Sequence, residues 1–323
     1  MIVRWGLDGL DEVLAELSVS RPLLLTEELW RELELPVAAR FDGCQPHAGI
    51  AGVRQALDLA RDADGLIALG GGSVMDTAKA VSSQTGLPVI SIPTTYAGAE
   101  WTPFFGVRNP ETRTKDAGFD ARVKGIVYEP ELTLEMPPQV TAGTALNALT
   151  HCAEALYVPD RNDESDEHAL AGAALIARHL PAVLADGHDL GARRGLLEGS
   201  MHGGAALRVG MGLGHAMAQS LGGRYGVPHG AMNAICLPPA LRFNADVAAA
   251  EVASLADAMG VADAAARAEE LATIALDTRL RDYDIPRDDL GELSAATAER
   301  GPAKANPRPA SPEEIRELFE AVW

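Results

Sequence analysis

The sequence predicts an α/β N-terminal domain built on a parallel sheet, followed by an all-α C-terminal domain. Three observations predict this. From residue 1 to 137, short apolar strand runs alternate with amphipathic helical stretches, the order that yields a parallel sheet covered by helices. At Pro137-Pro138 the strand signals stop. Beyond that point come alanine-rich segments, and alanine is the strongest helix former. With 323 residues the chain is long enough for two cores, and the domains are placed at 1–137 and 138–323.

Within the first domain, 9–17 is amphipathic and 22–26 reads as an apolar strand. A short helical piece follows at 29–33, then an amphipathic helix at 53–63. Residues 66–69 form a continuous apolar run, as a buried parallel strand does. A helix at 74–84 and a strand at 88–92 continue the alternation. Residues 103–136 read as turns and short strands, with a turn at Asn109-Pro110 and a strand at 125–128. The second domain is predicted as helices at 141–157, 164–185, 191–222, 229–243, 246–259, 262–279 and 312–322. The last is capped by Ser311 with Pro312 at its first position, after a proline-rich connector at 301–312.

The chain carries 27 basic and 46 acidic residues, a net charge of −19. That excludes nucleic acid and anionic membrane as main partners, since both need a basic footprint. An anionic substrate would have to find local positive groups inside an acidic shell. Cys44, Cys152 and Cys236 are scattered without a C-x-x-C spacing, which fits buried thiols in a reducing compartment. No apolar run approaches 18 residues and the N-terminus is too mixed for a signal peptide, so a cytoplasmic location is expected.

The run from Leu66 into Gly70-Gly-Gly-Ser73 joins an apolar strand to a helix through three glycines. Glycine permits positive φ and close approach of backbone to a ligand. Ser73 stands where an N-cap is expected, and Asp76 follows three residues on, a box-like start. Unpaired N–H groups and the positive helix end would suit a pyrophosphate. The spacing is neither G-x-G-x-x-G nor a Walker loop, and on the residues alone a bare strand-to-helix turn remains open. At the end of the next strand, Thr94 and Thr95 sit where ligands bind in open α/β sheets; capping a turn is the alternative.

In the second domain Asn147 and His151 are spaced i, i+4 and share a helix face. His215, on one helical segment, and His229, after Pro228 at the start of another, lie further along. Three histidines from three segments suggest a converging metal or polar site, although nothing in sequence shows that the segments meet. His47, His168, His179, His188 and His202 read as surface or structural residues.

Taken together, these stretches resemble the iron-containing, group III alcohol dehydrogenase superfamily, and most of all its maleylacetate reductase branch. The resemblance rests on Gly70-Gly-Gly-Ser-Val-Met-Asp-Thr-Ala-Lys79, Pro93-Thr-Thr-Tyr-Ala-Gly-Ala-Glu100, Asn147 with His151, and His215 followed by Pro228-His-Gly230. It implies a dinucleotide-binding N-terminal domain, a dehydroquinate synthase-like fold, a helical domain carrying the substrate site, a cleft between the two, and a homodimer. It also implies nucleotide contacts from Glu27, Gly70, Gly71, Gly72, Ser73, Asp76, Thr94, Thr95 and Lys115. Glu27 matches the superfamily's acidic residue near the adenosine ribose, which favours NADH while leaving NADPH open.

The superfamily's four metal ligands fall on Asn147, His151, His215 and His229, with asparagine where an aspartate is expected. Losing that charge weakens a site for iron or zinc, so no metal is expected to be required. The four residues then read as a catalytic polar cradle in which protonated imidazoles bind or polarise the substrate. Gln219 stands where both branches commonly carry histidine, and the loop 228–233 looks more like the alcohol dehydrogenases.

The implied activity is hydride transfer from NAD(P)H to a small anionic oxo-carboxylate, as in conversion of maleylacetate to 3-oxoadipate. Alternatives are a metal-dependent alcohol dehydrogenase, a biosynthetic relative with another carbonyl substrate, a sugar-phosphate cyclase of the related fold, and a non-catalytic nucleotide-binding protein. Trp101, Phe104 and Phe105 either shape the substrate pocket or pack the core.

Overall fold

The computed structural model describes the backbone of residues 1–45, 48–109 and 114–323, and the side chains of these except 109 and 114–117. The anticipated turn at Asn109-Pro110 and the environment of His47 lie outside the described residues. The chain divides into two compact units, one of residues 1–95 and 99–133, the other of 96–98 and 134–323.

The first unit is built on a six-stranded sheet. Its strands are β1 (Ile2–Trp5), β2 (Pro22–Thr26), β3 (Ala39–Phe41), β4 (Gly65–Gly70), β5 (Val89–Pro93) and β8 (Val123–Tyr128). The spatial order is β1-β8-β5-β4-β2-β3 and every pairing is parallel. β6 (Phe105–Asn109) and β7 (Thr114–Gly118) form a separate antiparallel pair. Strands β1 and β3, at the two edges, had no clear signal in the sequence. Both are short, and their pairing rather than their own composition makes them strands.

The continuous apolar run of β4 follows from burial on both faces. Leu66 and Ala68 join the core cluster with α2 (Ile50–Leu59) and α3 (Gly72–Thr85). Ile67 and Leu69 join the opposite cluster with α1 (Gly9–Glu16). A period-2 strand between two helical layers has no polar face to show. Parallel register sets the ends of neighbouring strands level: Thr26 pairs with Leu69, and Gly70 with Pro93. Glu27, the glycine loop and Thr94 therefore leave the same edge of three adjacent strands.

The second unit is helical throughout its described secondary structure. Its first five long helices are α4 (Pro138–Ala155), α5 (Asp163–Ala185), α6 (Leu190–Ala206), α7 (Leu213–Tyr225) and α8 (His229–Asn244). Helix α4 is buried on all sides from Ala145 to Ala155, as a central core helix should be. It meets α8 at a glycine crossing, where a Cβ on Gly230 would lie 2.5 Å from the Gly143 carbonyl oxygen. Only bare backbones fit, and this close crossing brings the next turn of α4 against the first turn of α8.

The predicted single helix at 191–222 is corrected to two. Gly210 takes φ +128° and Gly212 is extended, so the chain breaks after a 3-10 turn and restarts at Leu213. One described helix, Asp163–Ala185, is long and apolar enough to cross a membrane by length and composition, which the apolar-run count did not reveal. Here Ala169, Ala173, Ile176 and Leu180 are buried on it, and it packs with α4 and α6, as a core helix does.

Candidate active site

In the first unit the glycine loop owes its shape to contacts with its own neighbours. Gly70 has φ +153°, and a Cβ there would come within 2.5 Å of Val74. A Cβ on Gly71 would lie 3.0 Å from the Thr95 methyl, while Gly72 faces open space. The first two glycines are thus required by the protein itself. The third leaves an open cradle beside the start of α3, where the positive end of the helix dipole favours an anion.

The expected cap at Ser73 is corrected: α3 starts at Gly72 with Gly71 in the cap position, and no side chain caps it. Ser73 is inside the helix, where its carbonyl accepts from Thr77 Oγ1 at 2.8 Å. Asp76 instead accepts from the Gly106 N–H at 3.3 Å. The backbone of Thr94 donates to Gly70 O at 3.1 Å, tying the two strand ends together. Glu27 is partly buried at the end of β2, and burial raises its carboxyl above the ordinary range. Lys115 lies on β7, but its side chain is outside the described residues.

The aromatics divide. Trp101 Nε1 donates to Tyr128 OH at 2.7 Å, and that hydroxyl donates to buried Glu100 at 2.8 Å. Phe105 packs against the core cluster of α2 and α3. Phe104 stands edge-on to Phe119. In the first two, packing accounts for the side chain.

In the second unit the three histidines converge. The rings of His151 and His215 stack with centroids 4.8 Å apart, and His229 lies 6.1 Å from His215. His151 and His215 are buried while His229 is exposed, so the cluster has a closed floor and an open lip. Asn147 joins it by donating to Ala97 O at 3.1 Å, and its Nδ2 lies 3.4 Å from His151 Nε2.

Two members were missed in sequence. Asn233 is fully buried and donates to Asn147 Oδ1 at 2.6 Å, with its Nδ2 also 3.0 Å from His229 Nε2. Its i, i+4 spacing from His229 is the same signal that flagged Asn147 and His151. Glu154, also buried, gave no such sign. Its carboxylate accepts from the backbone N–H of Gly212 at 2.6 Å, the N–H of His215 at 3.1 Å, and His215 Nδ1 at 2.6 Å.

Glu154 thus holds the start of α7 and the His215 ring together. It also explains two glycines: a Cβ on Gly212 would lie 3.2 Å, and on Gly214 3.0 Å, from its carboxyl atoms. With Nδ1 held, His215 Nε2 is buried and has no partner, and His151 Nδ1 is likewise unpartnered. Such atoms await a ligand group or a proton.

Burial, reinforced by the neighbouring rings of His215 and His229, pushes His151 well below the usual histidine range. The expectation of protonated imidazoles is corrected for this residue: it is neutral near pH 7. Among the described residues no group of three His, Cys, Asp or Glu side chains is arranged to hold a metal. The oxygen at the expected carboxylate position belongs to Asn147 and is engaged by Asn233.

The model of iron-containing alcohol dehydrogenases matches residues 8–124, and that of the Fe-containing alcohol dehydrogenase family C-terminal region matches 141–323. A maleylacetate reductase of Burkholderia cepacia is 39% identical over 81% of this chain and 74% of its own. Maleylacetate reductase 1 of Rhodococcus opacus is 34% identical over 97% and 90%. Among solved structures, maleylacetate reductase from Agrobacterium tumefaciens superposes with TM-score 0.92 at 29% identity, covering 100% of this chain and 95% of that one.

Proposed function

Because the chain belongs to the iron-containing alcohol dehydrogenase family, in its maleylacetate reductase branch, we propose that it reduces maleylacetate or a close oxo-carboxylate with NADH. It is an NAD(P)H-dependent oxidoreductase with maleylacetate reductase-like function. The observation that carries the finer reading is His215, its Nδ1 clamped by Glu154 and its Nε2 left open in a buried polar cluster.

The cofactor would be held by Gly70, Gly71, Gly72 and Ser73, with Asp76, Thr94, Thr95 and Lys115 nearby. Glu27, whose carboxylate can accept from ribose hydroxyls and repels a 2′-phosphate, favours NADH. A dihydronicotinamide supplies hydride when bound. In an oxo-enoate such as maleylacetate, reduction of the carbon–carbon double bond would place negative charge on the conjugated ketone oxygen. His215, backed by Glu154, polarises that oxygen and supplies the proton that balances the hydride. Asn147, His151 and His229 complete the cradle, with neutral His151 orienting the substrate and the Asn147 amide, held between Ala97 O and Asn233, fixing the rings around it.

The donor set lacks an anionic oxygen, so no step is routed through a metal, and dispensability of the metal is part of the proposal. An Asn147→Asp variant loses the donor to Ala97 O and gains an anionic ligand, so its metal content by elemental analysis should rise above wild type. Unchanged content counts against a relict ligand set. We also expect a cytoplasmic homodimer; the three cysteines are buried and free, which supports a reducing compartment. The decisive assay follows NADH oxidation with maleylacetate, short aldehydes and other oxo acids, before and after exhaustive chelation. Turnover of maleylacetate that survives chelation is expected. Aldehyde turnover lost on chelation would instead favour a metal-dependent alcohol dehydrogenase.

A further inference from the structure

The histidine cluster holds one end of a substrate but offers no permanent positive charge. A chain of net charge −19 still has to attract an anion. In the helical unit Arg161, Arg224, Arg242, Arg267, Arg308 and Arg316 all pair with carboxylates. Arg300 is among those that do not: among the described residues no carboxylate lies within ion-pair distance of it.

Arg300 follows the helix Leu290–Ala298 and reaches back to α7. Its Nε donates to Ser220 Oγ at 2.8 Å. Ser220 is itself fixed, donating to Ala216 O at 3.0 Å and lying 2.8 Å from Thr297 Oγ1. The guanidinium is therefore anchored at one nitrogen. Its two terminal nitrogens make only long contacts of 3.5 Å, with Gln219 Oε1 and Gln219 O. Buried Arg193 is different in kind, because Gly187 O, Tyr96 OH and Leu134 O take up its donors.

The environment of Arg300 is half-buried, and desolvation with no opposing anion lowers its pKa from the ordinary arginine value. Taking a cation partly out of water without a counter-ion is unfavourable, and it is relieved when an anion arrives. A planar fork anchored at one side and weakly engaged at the other suits a carboxylate.

Position supplies the second half. Gln219 is four residues beyond His215 on α7, one turn along the same face, an axial rise of about 6 Å. We propose that Arg300, with Gln219 beside it, receives a carboxylate of the substrate whose oxo group faces His215. The second unit would then recognise an oxo acid at two points, fixing which carbon is presented for reduction. This rests on the reductase reading above, and it adds a specificity residue outside the histidine cluster.

The test compares wild type with Arg300→Met and Arg300→Lys. Loss of a charge-assisted pair is worth about tenfold to a hundredfold in affinity. KM for maleylacetate should rise by that factor in Arg300→Met, with kcat changed far less and NADH binding by fluorescence titration unaltered. Arg300→Lys should fall between the two.

Calorimetric binding of adipate, an unreactive dicarboxylate, to the NADH-loaded enzyme should weaken in parallel. It reads the subsite without turnover. Wild-type inactivity on every oxo acid would overturn the reductase reading, whereas the adipate comparison would still decide this one. Equal adipate affinity and unchanged KM in a folded, NADH-binding Arg300→Met enzyme overturn the assignment. If Arg300→Met fails to fold, wild-type values in Arg300→Lys for both KM and adipate do so equally, since lysine lacks the fork.

Discussion

The glycine loop of the α/β unit and the histidine cluster of the helical unit are built from opposite materials. The loop is backbone: Gly70 and Gly71 are shaped by Val74 and Thr95, and Gly72 stays open. The cluster is side chain: Glu154 and Asn147 hold the His215 and His151 imidazoles through buried hydrogen bonds, and Asn233 holds that of exposed His229. A backbone site tolerates changes that leave φ and space alone. A buried polar network does not, because removing one member strands the others.

The largest break is expected at Glu154. Glu154→Ala leaves the Gly212 and His215 N–H groups and His215 Nδ1 without their acceptor in a buried site. Breaking such a pair costs about 3–5 kcal/mol, read as a fall in urea-unfolding free energy. Turnover should drop on the order of a hundredfold or more, the range of a lost general acid. A variant with wild-type stability and kcat would show that the clamp is incidental.

In the loop, Gly70→Ala should be destabilising by about 1–3 kcal/mol, since positive φ and the Val74 clash both oppose it. Gly72→Ala should leave stability within about 0.5 kcal/mol of wild type while weakening NADH binding. If both substitutions act equally on stability, the distinction between protein-imposed and ligand-imposed glycine fails.

The smallest effect is at Glu27. Glu27→Gln should reduce the preference for NADH over NADPH by roughly tenfold, about 1.4 kcal/mol, the difference between a charged and a neutral acceptor. The pH dependence has a definite sign. The carboxyl is raised in the folded protein, so its contribution to apo stability is present in acid and lost as pH rises through that raised value. Nucleotide affinity moves the other way and falls in acid as the acceptor is protonated. Equilibrium titration of NADH across pH should show this limb in wild type and not in Glu27→Gln.

Much of the loop was legible in sequence because it is local. A strand run, three glycines and a helix are contiguous, and parallel register then aligns Thr26, Gly70 and Pro93. The cap at Ser73 was misplaced by two residues, because the helix begins as soon as the backbone permits. The cluster was legible only in part. Asn147–His151 follows helix spacing, and Asn233 would have followed from His229 by the same rule. Glu154 could not be found that way. It acts on a helix start fifty-eight residues downstream, and the glycines accommodating it looked like ordinary breaks.

By itself the sequence determined the βα alternation, the helical second half, the glycine loop and the family-like order of Asn147, His151, His215 and His229. Those are set by contiguous patterns and by residue type. Tertiary structure decided which side chains meet, that the His151 ring is held neutral, and which atoms stay open. The Gly143–Gly230 crossing brings α4 onto α8, burial with neighbouring rings keeps His151 neutral, and Glu154 fixes one face of His215. Each depends on distances between segments remote in the chain, and those distances exist only once the core has packed.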